Sequence, residues 1–125
     1  MHAPPPNAPS PDALTELRDA LRAFSAERDW DRFHAPKNLA AALVVEAGEL
    51  LEPFQWLSED QSAALPPDAL EAVRLEMADV LLYLVRLADR LDVDLADAAR
   101  RKMALNALKY PVDRARGRSD KYDRL

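Results

Sequence analysis

Apolar residues recur every three to four positions along four stretches of the chain, which is the spacing of one face of an α-helix. In the first stretch this face carries Leu14, Leu17, Leu21 and Phe24. Pro53 lies near the end of the second stretch and should kink or shorten its last turn, since proline lacks a backbone donor. The pattern predicts helices from a cap at Ser10 or Asp12 to about Arg28, from about Lys37 to Trp56, from Pro66 or Pro67 to about Leu91, and from a cap at Asp94 to about Tyr110.

The composition agrees with an all-α protein. Only two of the 125 residues are glycine, and alanine, leucine, glutamate and arginine are abundant, which favours helix over strand. This length, with 49% hydrophobic residues, is enough for one domain with a core. We therefore expect a disordered, proline-rich leader over residues 1–11, a helical domain over 12–110 and a flexible, basic C-terminal tail over 111–125.

Several classes of protein are disfavoured by what the sequence lacks. It has no cysteine, so neither a disulfide framework nor a thiolate metal site is expected. No apolar run approaches the roughly 20 residues of a membrane span, and the N-terminus lacks the basic-then-apolar layout of a signal peptide. The expectation is a soluble, cytoplasmic protein without a membrane partner.

Charge is distributed unevenly within the net charge of −5. Residues 100–125 hold nine basic and three acidic side chains, and residues 1–99 hold eight basic and nineteen acidic ones. An acidic body argues against a nucleic-acid polymer as partner, because such a partner requires a basic face on the folded core. The basic end is either a solvated helix and tail or a segment that meets a phosphate-bearing ligand.

Two pairs of carboxylates interrupt otherwise apolar helices. At 100° per residue, Glu46 falls within about 20° of Leu39, in the middle of the stripe that should face the core. Glu49 follows Glu46 by three residues, and Glu76 and Asp79 repeat this spacing on the third long helix. Residues three apart on a helix are neighbours, so both carboxylates of a pair can reach one point.

If the two helices pack side by side, four carboxylates gather without a lysine or arginine in either motif. Burying such charges uncompensated costs several kcal/mol each, so they must protonate, find partners or bind a cation. A site made of oxygen ligands selects a hard ion, Mg²⁺ or Mn²⁺. The alternative is that both faces turn to water. A di-iron bundle would require Glu-x-x-His, and neither His2 nor His34 follows a glutamate by three residues.

The motifs "EAGE" at 46–49 and "EMAD" at 76–79 resemble those of the MazG-like all-α nucleotide pyrophosphohydrolases. The stretches "AERDWDRFHAPKNLAAALVVEAGELLEPFQW", "MADVLLYLV" and "KMALNALKYP" are similar to the dCTP pyrophosphatase branch of that superfamily, and the likeness covers about residues 14–122. The resemblance implies a MazG-like bundle of four main helices. It also implies an enzyme that hydrolyses a deoxynucleoside triphosphate, dCTP or a modified dCTP favoured, to the monophosphate and pyrophosphate.

The resemblance also assigns roles to residues. It implies Mg²⁺ ligands at Glu46, Glu49, Glu76 and Asp79, with Glu49 favoured as the general base. The positions that match the family's base and sugar pocket are Trp30, Phe33, His34, Asn38, Trp56 and Tyr83, and those that match elements near the phosphates are Lys102, Asn106, Lys121 and Tyr122. From the residues alone, Phe33 and Trp56 could equally pack in the core, and Asn38 could simply begin the second helix.

Two further expectations concern assembly and specificity. Leu75 and Leu82 lie far from the main apolar face of the third long helix, so more than one face is apolar and symmetric association is expected. By resemblance a homotetramer is favoured over a dimer. Some relatives place a histidine where this chain has Leu21, which leaves dUTP, dTTP or a broad range of triphosphates as alternative substrates. In a different class, the chain could be a non-catalytic helical interaction module.

Overall fold

The computed structural model describes residues 12–125, all of whose regular structure is helical. The predicted leader over 1–11, including Ser10 as a cap, lies outside the described residues. The helices are α1 (Ala13–Glu27), α2 (Pro36–Leu51), α3 (Glu59–Ala63), α4 (Pro67–Arg90), α5 (Leu95–Lys109) and α6 (Val112–Ala115), with 3-10 turns at Asp31–Phe33 and Tyr122–Arg124. The prediction of an all-α fold with four main helices is confirmed.

The helix starts follow local chemistry that the sequence displays. The Asp12 carboxylate accepts a hydrogen bond from the Thr15 amide at 2.7 Å, and the Asp94 carboxylate accepts one from Asp97 at 3.0 Å. Each bond satisfies an amide that the first turn of a helix leaves without an intrahelical acceptor. Pro36 and Pro67 occupy the first turns of α2 and α4, where no amide hydrogen is needed.

The second helix is shorter than its pattern suggested. It ends at Leu51 instead of the predicted Trp56, and the chain continues through turns in which Phe54 donates to the Leu51 carbonyl and Leu57 to the Phe54 carbonyl. Pro53 accounts for the early end because its ring removes a backbone donor and disfavours helical geometry in the residue before it. The turns lead into α3, which Ser58 and Gln61 begin with a reciprocal capping box.

The described chain divides after Asp92 into two units. In the first unit, α1 and α2 both pack against α4. Leu39 of α2 and Val73, Val85 and Ala88 of α4 form its buried apolar core.

Large apolar side chains of the first unit remain exposed. On α4 these include Leu75 and Met77, each 58% exposed. An exposed apolar face of this kind is typical of a surface that meets a partner. The association of copies stays a prediction.

The second unit begins with α5, which is followed by Pro111 and α6. The Tyr122 ring packs edge-to-face on Tyr110 with centroids 6.2 Å apart, and the Lys109 ammonium lies 4.9 Å from the centre of the Tyr122 ring. The segment predicted as a tail therefore carries a short helix and a 3-10 turn, and its flexibility in solution stays a prediction. Among residues 12–125, no helix combines the length and apolar character that crossing a membrane requires.

Candidate active site

Three carboxylates of the first unit converge between α2 and α4. Glu46 and Glu49 lie one turn apart on α2, Glu76 lies on α4, and one oxygen of each falls within 4.8 Å of the others. The three-residue spacing brings the first two onto one side of α2, and the packing of α2 along α4 supplies the third. Each of the three side chains is partly buried. This acidic cluster, Glu46, Glu49 and Glu76, confirms that the two motifs meet.

The acidic cluster is not electrostatically compensated within the described chain. Glu46 Oε2 and Glu76 Oε2 are buried without a hydrogen-bond partner, and no ion pair joins either glutamate to a lysine or arginine of residues 12–125. Burial raises the pKa of the Glu46 carboxyl, and a hydrogen bond with Glu49 and the neighbouring negative charges raise it further. Burial and the charge of Glu49 likewise raise the pKa of Glu76.

Asp79 occupies a different position from the other three predicted ligands. It lies outside the group whose oxygens converge, and its side chain is exposed. Its negative charge nevertheless raises the pKa of both Glu46 and Glu76, so it lies within electrostatic range of them. Asp79 as a direct metal ligand stays a prediction.

Glu52 is a member of this neighbourhood that the sequence analysis missed. Its charge contributes to the raised pKa of Glu76. The signal was present, since Glu52 follows Glu49 by the same three residues that separate Glu49 from Glu46. Glu52 is exposed and lies just beyond the last residue of α2.

The acidic cluster fits a hard divalent cation. All of its ligand atoms are carboxylate oxygens, which are the ligands that Mg²⁺ and Mn²⁺ prefer. Glu46 and Glu76 each have one buried oxygen without a hydrogen-bond partner, and a buried acceptor without a partner is costly unless a proton or cation satisfies it. The residues present can therefore hold a hard divalent cation.

A pocket of about 180 Å³ lies in the first unit. Asp79 contributes to its wall together with Trp30, His34 and Tyr83, three of the residues predicted to contact a base or sugar. Ser25, Arg86 and apolar side chains, among them Leu21, complete the wall. An apolar pocket with a few polar groups is typical of small-molecule sites.

The aromatic residues of this pocket hold one another in place. The rings of Phe24 and Trp30 meet edge-to-face with centroids 5.7 Å apart, and those of Trp30 and His34 do so at 6.3 Å. The Trp30 amide also donates to the carbonyl of buried Ser25 at 2.9 Å. Side chains fixed in this way are suited to receive a flat ligand, because little conformational freedom is left to lose on binding.

Three other residues predicted to bind substrate lie apart from this pocket wall. Phe33 is 57% exposed beside the Arg32 guanidinium, and Trp56 is 87% exposed in the turns after α2. The Asn38 side chain donates to the Phe33 carbonyl at 3.3 Å, which ties the loop to the first turn of α2. Asn38 thus has a structural role, and substrate contact by all three stays a prediction.

A network around Arg86 is the main feature that sequence analysis did not anticipate. Arg86 of α4 is 4% exposed. Its guanidinium donates to Asp31 at 2.6 Å, to Asp89 at 3.3 Å and to His34 Nδ1 at 3.0 Å. Arg22 donates twice to Asp89, and this pairing holds the pKa of Asp89 below its usual range. An arginine inside the apolar run "LLYLVRLA" was the available signal.

The remaining predicted residues belong to the second unit. Lys102 and Asn106 lie one turn apart on α5, where both are exposed. Lys121 and Tyr122 lie at the final 3-10 turn, with Tyr122 packed on Tyr110. Contacts of these four residues with phosphates stay predictions.

Comparison with known proteins identifies the class to which this fold and this acidic cluster belong. The MazG-like family model matches residues 41–125. The chain is 47% identical over 120 residues to dCTP pyrophosphatase 1 of Mus musculus and 44% identical to that of Homo sapiens, each match covering 94% of this chain and 70% of the relative. A crystal structure of a pyrophosphatase from Archaeoglobus fulgidus superimposes with a TM-score of 0.74 at 40% identity, covering 83% of this chain and 97% of that one. The chain belongs to the MazG-like family.

Proposed function

We propose that this protein is a nucleotide pyrophosphohydrolase, which hydrolyses a deoxynucleoside triphosphate to the monophosphate and pyrophosphate in the presence of a divalent cation. dCTP or a modified dCTP is the favoured substrate, because the mammalian relatives that match most of this chain are named dCTP pyrophosphatase 1. Removal of such nucleotides from the cellular pool would be the biological role.

One observation carries the proposal. An acidic cluster with two buried, partnerless oxygens lies near Asp79, and Asp79 also contributes to the wall of a pocket with aromatic and polar groups. A nucleoside triphosphate needs both features, a cation for its phosphates and a flat, partly polar pocket for its base. Their proximity in one unit favours this substrate class over a ligand that needs only one of them.

The acidic cluster would hold the cation, with Asp79 as a further ligand. Mg²⁺ is the proposed ion and Mn²⁺ the alternative, because both accept oxygen ligands. When bound, the ion would neutralise phosphate charge and lower the pKa of a water molecule. In the overall reaction, one water adds across the anhydride bond between the α and β phosphates, and pyrophosphate leaves.

Glu49 is the proposed general base. It lies at the centre of the acidic cluster, within hydrogen-bonding reach of both Glu46 and Glu76. Both of these neighbours have a raised pKa, so they retain protons more readily than an ordinary glutamate. A carboxylate placed among them can accept the proton of the attacking water when its geometry allows.

The pocket residues would receive the base and the sugar. Trp30 offers an aromatic face, and His34 and Tyr83 offer polar atoms. Phe33, Asn38 and Trp56 are proposed as further contacts for the base and sugar. The phosphates are proposed to contact residues of the basic end of the chain, namely Lys102, Asn106, Lys121 and Tyr122.

Association and compartment complete the proposal. Exposed apolar side chains on α4, such as Leu75 and Met77, support a homo-oligomer, and a tetramer is preferred over a dimer. A cytoplasmic location is proposed, where the nucleotide pool is found. Sedimentation at several protein concentrations would measure the oligomeric state directly.

The test of function is hydrolysis of a panel of deoxynucleoside triphosphates. Purified protein is incubated with dCTP, 5-methyl-dCTP, dUTP or dTTP, with and without MgCl₂, and the products are separated by chromatography. The expected result is dCMP with pyrophosphate, dependent on Mg²⁺ and lost in Glu49→Gln. Absence of hydrolysis of every triphosphate, by a folded protein, would leave the non-catalytic interaction module as the better interpretation.

A further inference from the structure

Arg86 bridges α4 to the loop that follows α1. Although its side chain is almost fully buried, three of its nitrogens each donate to a different acceptor, on Asp31, His34 and Asp89. The rigid, planar guanidinium spreads its donors over three nitrogen atoms, whereas the three N–H groups of a lysine ammonium radiate from a single nitrogen. Arg86 therefore fixes the orientation of the groups around it.

The contact with His34 determines which imidazole nitrogen carries hydrogen. Arg86 Nε donates to His34 Nδ1 at 3.0 Å, and an arginine nitrogen cannot accept a hydrogen bond. His34 Nδ1 must therefore be an unprotonated acceptor, so the neutral ring carries its hydrogen on Nε2. Burial lowers the pKa of His34, and the charges of Arg86 and Arg90 lower it further against the opposing effect of Asp31.

We infer that Arg86 is a positioning residue that holds His34 as a neutral imidazole with its hydrogen on Nε2, so that the pocket offers a ligand a hydrogen-bond donor. Both residues contribute to the wall of the same pocket. A ligand that pairs with His34 must then present an acceptor, as the O2 and N3 atoms of cytosine do. The identity of this ligand rests on the proposed function, whereas the state of the imidazole does not.

The state of His34 is measurable without any substrate. The chain has two histidines, so a His2→Gln variant leaves His34 as the single source of imidazole signals. Nitrogen-15 correlation spectra distinguish protonated from unprotonated ring nitrogens. We expect Nε2 protonated and Nδ1 unprotonated at pH 7. Because the pKa of His34 is lowered, the neutral fraction at pH 6.5 should exceed that of an unperturbed histidine. A protonated Nδ1 would overturn the inference.

A pair of matched variants separates positioning from general stabilisation. Arg86→Lys keeps the charge beside Asp31 and Asp89 but loses the planar guanidinium, and we expect both neutral tautomers of His34 to appear. Arg90→Lys is the control, because Arg90 lies one turn away and donates to the backbone carbonyl of His34 at 3.2 Å. Its spectrum should match that of the parent, and an unchanged tautomer in Arg86→Lys would contradict the positioning role.

Binding of dCMP tests whether the N–H group of His34 Nε2 donates a hydrogen bond to the ligand. We expect the dissociation constant to rise about two- to tenfold in His34→Phe, which removes one hydrogen bond, and less in His34→Gln, which retains a donor. In hydrolysis assays, Arg86→Lys should raise KM by a similar factor and leave kcat nearly unchanged, because the lost interaction lies at the base and not at the phosphates. Equal binding of dCMP by all variants would contradict the donor role.

The two levels of the inference fail separately. If the protein hydrolyses none of the triphosphates in the panel, the proposed function fails, while the imidazole spectrum still decides whether Arg86 fixes His34. If hydrolysis occurs but Nδ1 carries the hydrogen, the proposed function stands and the inference about Arg86 is wrong.

Discussion

Two groups of charged side chains lie against α4, and they differ in whether the charges are paired. The acidic cluster brings together three carboxylates, two of which keep a buried oxygen without a partner. In the network around Arg86, opposite charges meet at hydrogen-bonding distances, and the pKa of Asp89 is lowered. The same helix thus contributes Glu76 to a set of charges that repel one another, and Arg86 and Asp89 to a set of charges that attract one another.

The difference indicates two roles. Charges that satisfy one another hold their neighbours in position, and removing one of them leaves the other buried without a partner. Charges of one sign that remain unsatisfied raise the free energy of the folded state until a proton or cation arrives. A protein retains such strain where it binds something, so the acidic cluster is the better candidate for chemistry and the Arg86 network for support.

The largest effect is expected from neutralising the centre of the acidic cluster. Glu49→Gln keeps the shape of the side chain but removes a metal ligand and the proposed base, so kcat/KM for dCTP should fall by at least about 10²-fold. The release of pyrophosphate measures it. Glu71→Gln is the control, since Glu71 lies on α4 outside the acidic cluster and pairs with Arg74 on the surface. Comparable activity in both variants would remove the acidic cluster from the mechanism.

The next effect concerns stability in the paired network. Arg86→Met leaves Asp89 and Asp31 without their buried partner, and removing one member of a buried pair should cost about 3 kcal/mol of unfolding free energy. Urea unfolding measures this. Arg22→Met is the matched comparison. Arg22 bonds the same Asp89 from an exposed position, and exposed ion pairs contribute little to stability, so the loss should be clearly smaller than in Arg86→Met. Similar losses in both variants would show that the burial of Arg86 does not increase the contribution of its ion pairs to the unfolding free energy.

How much of this arrangement the sequence could predict depends on the range of the interactions involved. The caps at Asp12 and Asp94 and the motifs that meet in the acidic cluster follow from spacing along single helices. The predicted end of α2 at Trp56 was too late, since the helix ends at Leu51, although Pro53 marked the early end. The Arg86 network escaped prediction because it joins residues 55 and 67 positions apart. Likewise, the exposure of Asp79 depends on how α4 is rotated, which periodicity alone does not fix.

A smaller effect is expected when a divalent cation is added. Ligands that bind only the folded state stabilise it by about 2.7 kcal/mol at a hundred times their dissociation constant, so MgCl₂ should raise the Tm at pH 8. Cations compete with protons for carboxylates, and the raised pKa of Glu46 and Glu76 places this competition above their usual value of 4.5. The increase in Tm should therefore shrink as pH falls. Calorimetry from pH 8 to pH 5.5 measures it, and an increase independent of pH would place the cation elsewhere.

The smallest effect is a gain of stability in the absence of metal. The pKa of Glu76 is raised in the folded chain, so the folded state binds a proton at pH values where the unfolded chain is ionised. Stability from this group is present at low pH and is lost as pH rises through the folded pKa. Glu76→Gln removes the ionisable group and with it the loss of stability at high pH. The Tm of this variant in EDTA should therefore exceed that of the parent protein at pH 8 and approach the parent value at pH 5. Because Arg74 pairs with Glu71 at the surface, Glu71→Gln should show no such gain. A lower Tm for Glu76→Gln at pH 8 would mean that Glu76 is already satisfied without a cation.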